Sequence, residues 1–369
     1  MKIKEIKLFM IKMPLKMPFS TSLGTVIERE AIIIEVINQD GVKGYGEVVA
    51  FSTPWYTEET IQTSYHMLKD FLIPLVFKTP IEQPNEIEKR FRSIRGNHMA
   101  KAGLETAIWD LFSKVNQSPL WRYINGTRSE VPAGVVVGSN CIKDALSQIE
   151  TYLYEGYKRV KVKIKPGSDF QLLKEIRRQF PFLPLMADAN SAYTLNDIAL
   201  LKALDEFNLL MIEQPLAVDD IVEHSRLQQE IKTPVCLDES IVTYHDAESA
   251  IKLQSCRVIN IKIGRVGGLN NAIAIHDLCQ RNGIQVWCGG MIEYGISRAF
   301  NIALSTLKGF SIPGDLSASS RFWEEDIILP FVEINNGKID APLSPGIGFE
   351  LNQKRMDQVT YYSETFSNI

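Results

Sequence analysis

From residue 131 onward, short apolar runs alternate with longer stretches of helical period. Runs of this length between helical stretches are typical of parallel strands buried on both faces. Helices are expected at 144–155, 195–207 and 270–282, among others. The predicted strands are 131–137, 159–165, 185–188, 211–213, 234–238, 258–262, 285–288 and 310–313. Eight strand-helix units predict an α/β fold built on a (β/α)8-type barrel.

Residues 1–125 do not follow this period. Alternating apolar and polar positions predict strands over 2–13 and 31–38, and a "QDG" turn leads into the strand "VKGYGEVV". Helical patterns cover 58–77 and 99–115, so an antiparallel sheet packed on helices is expected. The C-terminal segment again shows a pattern typical of strands and turns. We therefore predict an α+β capping domain over 1–125, the barrel catalytic domain over 126–320, and a segment over 321–369 that returns to the cap.

Two segments of the predicted cap are expected to be mobile loops, at 14–30 and 51–59. The first, within "MPLKMPFSTSLGTVIERE", is polar and too long for a hairpin turn. A loop of this length in a compact domain is either functional or disordered, and both interpretations stay open. The second is "AFSTPWYTEE".

Composition excludes several classes of partner. With 40 basic and 44 acidic residues and a net charge of -4, the chain has no basic stripe for a nucleic-acid backbone. The N-terminus lacks the apolar core of a signal peptide, and no run is apolar enough to span a bilayer, so no membrane partner is expected. Five cysteines without paired short spacing suggest neither a disulfide framework nor a zinc knuckle. A reduced cytoplasmic location is expected.

Five charged residues recur at nearly one interval along the predicted barrel. Lys163, Asp188, Glu213 and Asp238 are 25 residues apart each time, and Lys262 follows 24 later. Each ends an apolar run, and the strand ends of a barrel converge on one mouth. Three carboxylates facing one point repel one another without a cation, and an all-oxygen set suits Mg²⁺, with Mn²⁺ as a substitute. The pattern predicts a metal-assisted enzyme that moves protons.

Each of these residues has a plainer interpretation when taken alone. A carboxylate at a strand end can be the N-cap of the next helix, and alternating Lys and Val can mark a solvated edge strand. In a barrel, however, Lys161 and Lys163 share the inward face. Two ammonium groups crowded in a pocket that excludes water should lower the pKa of at least one, and a neutral lysine can act as a base.

Other polar residues follow the same strand ends. Asn190 and Glu239 could orient ligands or cap loops, and the two interpretations are equally supported. Arg265 could add positive field at the mouth or be solvated at the rim. Met291, in "VWCGGMIE", is expected in the pocket wall, and Glu293 is a further candidate for the mouth. No dinucleotide or phosphate-loop motif is present, so no organic cofactor is expected.

The motifs resemble those of the enolase superfamily, in its muconate-lactonizing subgroup. They are "KVKIKPG", "MADANSAYTL", "MIEQPL", "CLDES", "INIKIGRVGG", "CGGMIE" and "PGDLSASS". Within the subgroup they are similar to those of o-succinylbenzoate synthases that also racemise N-succinylamino acids. The resemblance covers nearly the whole chain and implies a modified, enolase-like barrel with a capping domain.

The resemblance also implies roles for the periodic residues. Asp188, Glu213 and Asp238 become the Mg²⁺ ligands. Lys163 becomes the acid/base, and Lys262 the lysine on the opposite face. The implied reaction dehydrates 2-succinyl-6-hydroxy-2,4-cyclohexadiene-1-carboxylate to o-succinylbenzoate in menaquinone biosynthesis. Lys163 takes the proton α to a carboxylate, Mg²⁺ and Lys262 stabilise the enediolate, and hydroxide leaves. A small carboxylate substrate and a homo-oligomer are expected.

Three alternatives stay open beside this lyase activity. N-succinylamino acid racemisation needs the same proton abstraction, and Arg265 matches an arginine of relatives with that activity. Dipeptide epimerases place a D-x-D pair after the eighth strand, where this chain has Asp315-Leu316-Ser317. A non-catalytic binding module would be expected to lose at least one ligand or lysine.

Three positions depart from the family pattern. Tyr294 replaces a usually smaller residue, Phe300 stands where histidine is common, and Val136 where serine is expected. Each could reshape the pocket around the substrate, so the half-reaction is expected but the preferred substrate stays open.

Overall fold

The computed structural model describes residues 1–20, 24–138 and 141–368. The N-terminal segment forms an antiparallel sheet whose strand order is Thr360–Ser367, Ile3–Ser20, Thr25–Asn38 and Lys43–Val48. The C-terminal strand pairs along the first strand, with Glu5 opposite Ser367. The tail of the chain therefore supplies an edge strand of the N-terminal sheet.

The segment 14–30 is mostly strand, so the expectation of a long loop there is wrong. Ile3–Ser20 and Thr25–Asn38 pair out to Ser20 opposite Thr25, with an irregular register between Pro14 and Phe19. Proline cannot donate to a ladder, which accounts for the irregularity and for the loop-like sequence. The Lys16 backbone N–H donates to the Phe322 carbonyl at 2.8 Å, so the end of this hairpin reaches the segment that follows the barrel.

The N-terminal sheet packs on helices of the same domain. They are Ile61–Met67, the π-helical Leu68–Leu72, Ile73–Phe77, Glu86–Arg90, Phe91–Ser93 (a 3-10 turn), His98–Val115 and Leu120–Tyr123. The long helix His98–Val115 lies directly against the strand Lys43–Val48 because that strand carries glycines where the two backbones meet. A Cβ placed on Gly46 would lie 2.0 Å from the carbonyl oxygen of Gly103.

In the described part of the chain, seven parallel strands form the barrel sheet, and each is paired with the next in sequence. They are Gly134–Val137, Arg159–Lys163, Leu185–Asp188, Ile212–Glu213, Val235–Leu237, Val258–Ile261 and Gln285–Cys288. The helices between and after them are Ile142–Tyr154, Asp169–Gln179, Ile198–Ala203, Val222–Glu230, Tyr244–Leu253, Leu269–Arg281 and Gly295–Ser305. Two 3-10 turns, Leu195–Asp197 and Leu204–Phe207, flank the third helix.

The eighth strand expected at 310–313 does not form. A single parallel bridge joins Ala133 to Gly314 instead. The Gly134 N–H donates to the Gly314 carbonyl at 2.7 Å, and the Asp315 N–H donates to the Cys288 carbonyl at 2.9 Å. This segment therefore touches both edges of the seven-stranded sheet at one point each. Pro313 has no N–H to donate, which limits regular pairing here.

Apart from Glu130–Pro132, which precedes the first barrel strand, the remaining elements belong to the C-terminal segment. Ile328–Leu329 pairs with Glu350–Leu351, and Lys338–Asp340 pairs with Glu130–Pro132. A 3-10 turn, Ser319–Arg321, precedes them, and the helix Gln353–Val359 leads into the last strand. Among the described residues, no helix has the length and apolar character needed to cross a bilayer.

Two buried carboxylates of the N-terminal domain hold the ends of barrel helices. Glu47 accepts hydrogen bonds from the backbone N–H groups of Tyr294 and Ser297, both at 2.8 Å. Glu105 accepts hydrogen bonds from the backbone N–H groups of Leu269, at 2.7 Å, and Asn270, at 2.9 Å. Helix N-termini have N–H groups without internal partners and favour negative charge. Because helices of a barrel begin beside the carboxyl ends of its strands, these bonds fix the cap over the mouth.

We expect Gly46→Ala to destabilise the cap, since the added methyl group would overlap the backbone of the long helix. The expected loss is about 1–3 kcal/mol in the free energy of unfolding, measured by urea denaturation. Lys43→Ala, at an exposed position of the same strand, is the control and should change it by less than about 1 kcal/mol. Equal stability of the Gly46→Ala variant and the wild type would contradict this packing.

Candidate active site

The five periodic residues all lie at the carboxyl ends of barrel strands. Lys163 is paired in register with Asp188, and Asp188 with Glu213. Asp238 and Lys262 each follow directly after the last residue of their strands. The strand register therefore brings the five side chains to the same end of the sheet, and the two lysines come from strands four positions apart.

Lys163 is the more accessible of the two inward lysines of its strand. Its side chain is 22% exposed, whereas that of Lys161 is 4% exposed. The Lys163 Nζ donates to Asp188 Oδ2 at 2.7 Å and to Asn190 Oδ1 at 2.6 Å. Two acceptors hold this amino group at the mouth of the barrel.

Lys161 lies deeper and bridges three carboxylates. Its Nζ is 2.6 Å from Asp315 Oδ2, 3.1 Å from Glu213 Oε2 and 3.3 Å from Asp188 Oδ2. Burial lowers the pKa of Lys161, but the negative charges of these three groups outweigh burial and hold it well above its ordinary value. The expectation that crowding lowers the pKa is therefore wrong for Lys161, which is a fixed cation here.

Asp238 is held by two cations. Lys262 Nζ donates to its Oδ2 at 2.9 Å, and Arg265 Nη1 donates to its Oδ1. Burial acts to raise the pKa of Asp238, but the charges of Arg265 and Lys262 outweigh it and hold that pKa well below the ordinary range. Arg265 is only 2% exposed, so the interpretation of a solvated arginine at the rim is wrong. The other interpretation, that Arg265 adds positive charge at the mouth, agrees with its contact with Asp238, to which Lys262 also donates.

Glu213 is fully buried, and its negative charge is compensated less completely than that of Asp238. It accepts hydrogen bonds from Lys161 at 3.1 Å and from Asn260 Nδ2 at 2.8 Å. Burial, together with the negative charge of Asp188, raises the pKa of Glu213 to about 8. A buried carboxyl group with this preference for a proton would also be stabilised by a metal cation.

Glu239 adds an oxygen without a partner. Its Oε1 accepts from Asn190 Nδ2 at 3.1 Å, while its Oε2 is buried and has no hydrogen bond to any described residue. Burial and the charge of Asp238 raise the pKa of Glu239 to about 7. The atoms available to coordinate a metal ion are thus all oxygens, the ligands that hard divalent cations such as Mg²⁺ prefer.

The carboxylate side chains do not converge on one position where a metal ion could bind all of them. Within the ranges that the structure describes, no three acidic, histidine or cysteine side chains are close enough as they lie to hold a metal ion. Asp188 is turned to Lys163, and Asp238 to Lys262 and Arg265. The set fits a divalent cation in its chemistry, and the lysines and the arginine now occupy the carboxylate oxygens that such a cation would bind.

Tyr56 is a site residue that the sequence reasoning missed. It comes from the segment 51–59 of the cap, and its hydroxyl accepts hydrogen bonds from Lys262 Nζ at 2.8 Å and from Arg265 Nη1 at 3.0 Å. Burial, with the charge of Asp238, raises the pKa of Tyr56 to about 12. The cluster of aromatic residues in "AFSTPWYTEE" was the available signal, because a polar surface loop rarely carries three of them.

One cavity of about 100 Å³ lies between the cap and the strand ends. Its charged and polar lining includes Lys161, Lys163, Asp188, Asn190, Glu239, Lys262, Glu293, Asp315 and Arg321. Its apolar lining includes Phe19, Phe51, Trp55, Val136, Met291, Ile292 and Phe322. Lys163 and Lys262 therefore reach the same cavity from different strands.

The other candidates divide into wall residues and supporting residues. Met291 and Glu293 line the cavity, and Glu293 accepts from the Met291 backbone N–H and from Asn301 Nδ2 at 3.2 Å. Of the three unusual positions, Val136 lines the cavity. Tyr294 is buried elsewhere, with its ring stacked at 4.4 Å on that of Trp323. Phe300 is likewise buried, within the helix Gly295–Ser305.

Two family models match the chain. The model for "Enolase C-terminal domain-like" matches residues 144–355, and that for "Mandelate racemase / muconate lactonizing enzyme, N-terminal domain" matches residues 3–124. Together they cover the N-terminal part of the cap and all of the barrel strands after the first, Gly134–Val137.

Individual proteins match over all or nearly all of their length. An o-succinylbenzoate synthase of Geobacillus kaustophilus is 54% identical over 357 residues, which are 96% of this chain and 95% of that protein. An N-succinylamino acid racemase of Thermus thermophilus is 41% identical over 368 residues, 100% of each chain. A crystal structure of an enolase superfamily member from Listeria innocua aligns with a TM-score of 0.98 at 43% identity and covers 100% of both chains.

We expect Lys161→Met to destabilise the protein without added metal, because it leaves buried carboxylates without their shared cation. Breaking a buried ion pair typically costs about 3–5 kcal/mol, measured here as a loss in the free energy of unfolding in EDTA. Lys338→Met removes an ammonium group from the exposed pair with Glu130 and should cost less than about 1 kcal/mol. Equal losses in the two variants would mean that Lys161 does not balance the carboxylates.

Proposed function

Because the chain belongs to the enolase superfamily, as its motifs predicted, and to its family of o-succinylbenzoate synthases and N-succinylamino acid racemases, we propose that it is an o-succinylbenzoate synthase. The substrate would be 2-succinyl-6-hydroxy-2,4-cyclohexadiene-1-carboxylate, in menaquinone biosynthesis. The observation that carries this proposal is that Lys163 and Lys262 line one cavity from strands four positions apart, with a cluster of carboxylates between them.

In this proposal Asp188, Glu213 and Asp238 hold a Mg²⁺ ion. When bound, the ion supplies positive charge where the substrate carboxylate gains a second negative charge. The carboxylates fit this role because they come from three adjacent strands and because Glu213 is buried with an incomplete balance of charge. Lys161 remains beneath them as a fixed cation and orients Asp188 and Glu213.

Lys163 is proposed as the base. In its neutral amine form, its Nζ takes the proton from the carbon α to the carboxylate and becomes an ammonium group, and the electrons of that C–H bond move into the carboxylate. Asn190 holds the lysine toward the cavity through the 2.6 Å hydrogen bond. The C–O bond to the leaving hydroxyl group then breaks, the electrons return to form the ring double bond, and the proton on Lys163 can join the hydroxide as water.

Lys262 is proposed to act from the other wall. Its ammonium group is held by Asp238 and Tyr56, and burial is outweighed by the charge of Asp238 so that the pKa of Lys262 is raised. A cation so fixed stabilises negative charge that develops on the substrate during dehydration. In racemisation the same group would deliver a proton to the face opposite Lys163.

The second candidate function is N-succinylamino acid racemisation, as main or additional activity. Arg265 favours it, because this buried arginine contacts both Asp238 and Tyr56 and so influences the environment of Lys262. A dipeptide epimerase is less well supported, since the cavity has Ser317 where the second acid of the D-x-D pair would stand. A binding module without catalysis gives no reason for both lysines to face the cavity.

Removal of metal should abolish activity. We expect EDTA to eliminate o-succinylbenzoate formation, and Mg²⁺ or Mn²⁺ to restore it, because the reacting carboxylate cannot otherwise carry its second charge. Circular dichroism before and after EDTA is the control for unfolding. Full turnover by protein shown to be metal-free would contradict the proposed ligand set.

The two lysines should act on opposite faces of the substrate. In D₂O, Lys163→Ala should lose dehydration and racemisation by at least about two orders of magnitude. This variant should still exchange the α-proton of the enantiomer that Lys262 faces. Lys262→Ala should exchange only the other enantiomer and should also dehydrate more slowly. Proton NMR of each pure enantiomer of an N-succinylamino acid measures the exchange.

The same experiment separates the two proposed activities. Exchange of both enantiomers by both variants would mean that the lysines do not flank the substrate. Formation of o-succinylbenzoate by a wild-type enzyme that exchanges neither enantiomer would leave the lyase proposal intact and remove the racemase proposal.

A further inference from the structure

Arg321 lines the cavity but is not part of the ion network at the strand ends. It ends the 3-10 turn Ser319–Arg321, immediately after the motif "PGDLSASS". Its Nη2 donates to the Val136 carbonyl at 2.6 Å, at the end of the first barrel strand. The guanidinium group also lies over the ring of Tyr152, 5.1 Å from its centroid. These contacts fix the side chain at one place in the cavity wall.

The charge of Arg321 has no counterion. Among the residues described by the structure, no carboxylate lies within 4.0 Å of its guanidinium group, whereas Arg159 and Arg265 each pair with one. Its Nη1 is buried and makes no hydrogen bond to any described residue. A buried N–H donor without an acceptor costs free energy, and an anionic ligand would recover that cost.

Aromatic rings lie beside Arg321 in the wall of the cavity. The guanidinium group lies 5.5 Å from the centroid of the Phe322 ring. Phe322 and Phe19 pack edge to face at 6.1 Å between ring centroids, which brings the hairpin of the cap beside the arginine. Val136, whose carbonyl accepts the hydrogen bond from Arg321, lines the same cavity, and so do Met291 and Ile292. The cavity thus has one charged region at the carboxylate cluster and an isolated cation set in an apolar wall. Such a cavity fits a ligand with two anionic ends joined by an uncharged body.

We propose that Arg321 is a specificity-determining residue that binds the distal carboxylate of the substrate. It would recognise acyl groups that end in a carboxylate and disfavour those that end in a neutral group. This inference rests on the proposed function, since the succinyl group of both proposed substrates ends in such a carboxylate. The guanidinium group offers Nη1 to the ligand while Nη2 stays bonded to Val136.

The test compares an N-succinylamino acid with its N-succinamyl analogue, in which the terminal carboxylate is an amide. Wild-type enzyme with Mg²⁺ should favour the succinyl compound. Arg321→Met should lose about 10- to 100-fold in kcat/KM for that compound, mainly through KM, because the lost bond involves a charged group. For the succinamyl compound the same variant should stay within about threefold of the wild type.

Two further variants provide the controls. Arg321→Lys keeps the charge and should retain more of the preference for the succinyl compound than Arg321→Met. Arg92→Met removes a guanidinium group whose side chain is 73% exposed, and it should leave both substrates within about threefold of the wild type. Equal losses on both substrates in Arg321→Met would show a structural role only and overturn the inference. So would unchanged kinetics, or a wild type without preference between the substrates.

A binding measurement separates this inference from the proposed function. Calorimetry of o-succinylbenzoate and of its terminal amide needs no turnover. If Arg321→Met weakens binding of the dianion by about 10-fold or more but not binding of the amide, Arg321 binds the distal carboxylate even if the wild type proves to have no lyase activity. If the substitution leaves the affinity for o-succinylbenzoate unchanged, the inference is wrong whatever the enzyme catalyses.

Discussion

The balance between buried carboxylates and buried cations at the strand ends is the constraint on which the rest of this structure depends. Asp188, Glu213 and Asp238 are nearly inaccessible to water, and isolated charges at such depth are too costly to persist. Lys161, Lys262 and Arg265 supply the opposing charge through direct contacts. The same arrangement that stabilises the mouth of the barrel therefore keeps several charged groups together at one end of the sheet.

The cap makes this arrangement possible by closing the mouth. Glu47 and Glu105 satisfy the N-termini of two barrel helices, so the cap is held where those helices begin, beside the strand ends. From that position the cap brings Tyr56 to Lys262 and Phe19 to the apolar wall. Exclusion of water strengthens every electrostatic interaction inside the cavity. The site is thus a product of both domains, and neither contains all of it.

The wrong expectations share one physical origin. The patterns that define a strand or a solvated arginine describe a residue's neighbours in sequence, whereas burial and charge come from neighbours in space. The local sequence around Arg265 suggests a solvated residue at the rim, whereas in the structure Arg265 contacts Asp238 and Tyr56. Lys161 is one of two lysines of which at least one was expected to have a lowered pKa, but Asp315, distant in sequence, joins its partners and helps to raise the pKa of Lys161. The hairpin ending near Phe19 reads as a loop because its prolines interrupt the alternation.

The sequence by itself determined the parallel strands and the place of Lys163, Asp188, Glu213, Asp238 and Lys262 at their ends, because these follow from a repeat of fixed length. Its motifs, by their resemblance to those of known proteins, identified the family. A strand period sets which side chains meet at one end of a sheet whatever surrounds them. Only the tertiary structure decided how the charges pair and which residues the cap and the C-terminal segment bring to the cavity. It also decided that, in the described part of the chain, seven strands and a single bridge at Gly314 stand in place of the eight expected strands. Those features depend on contacts between distant parts of the chain, which no local pattern records.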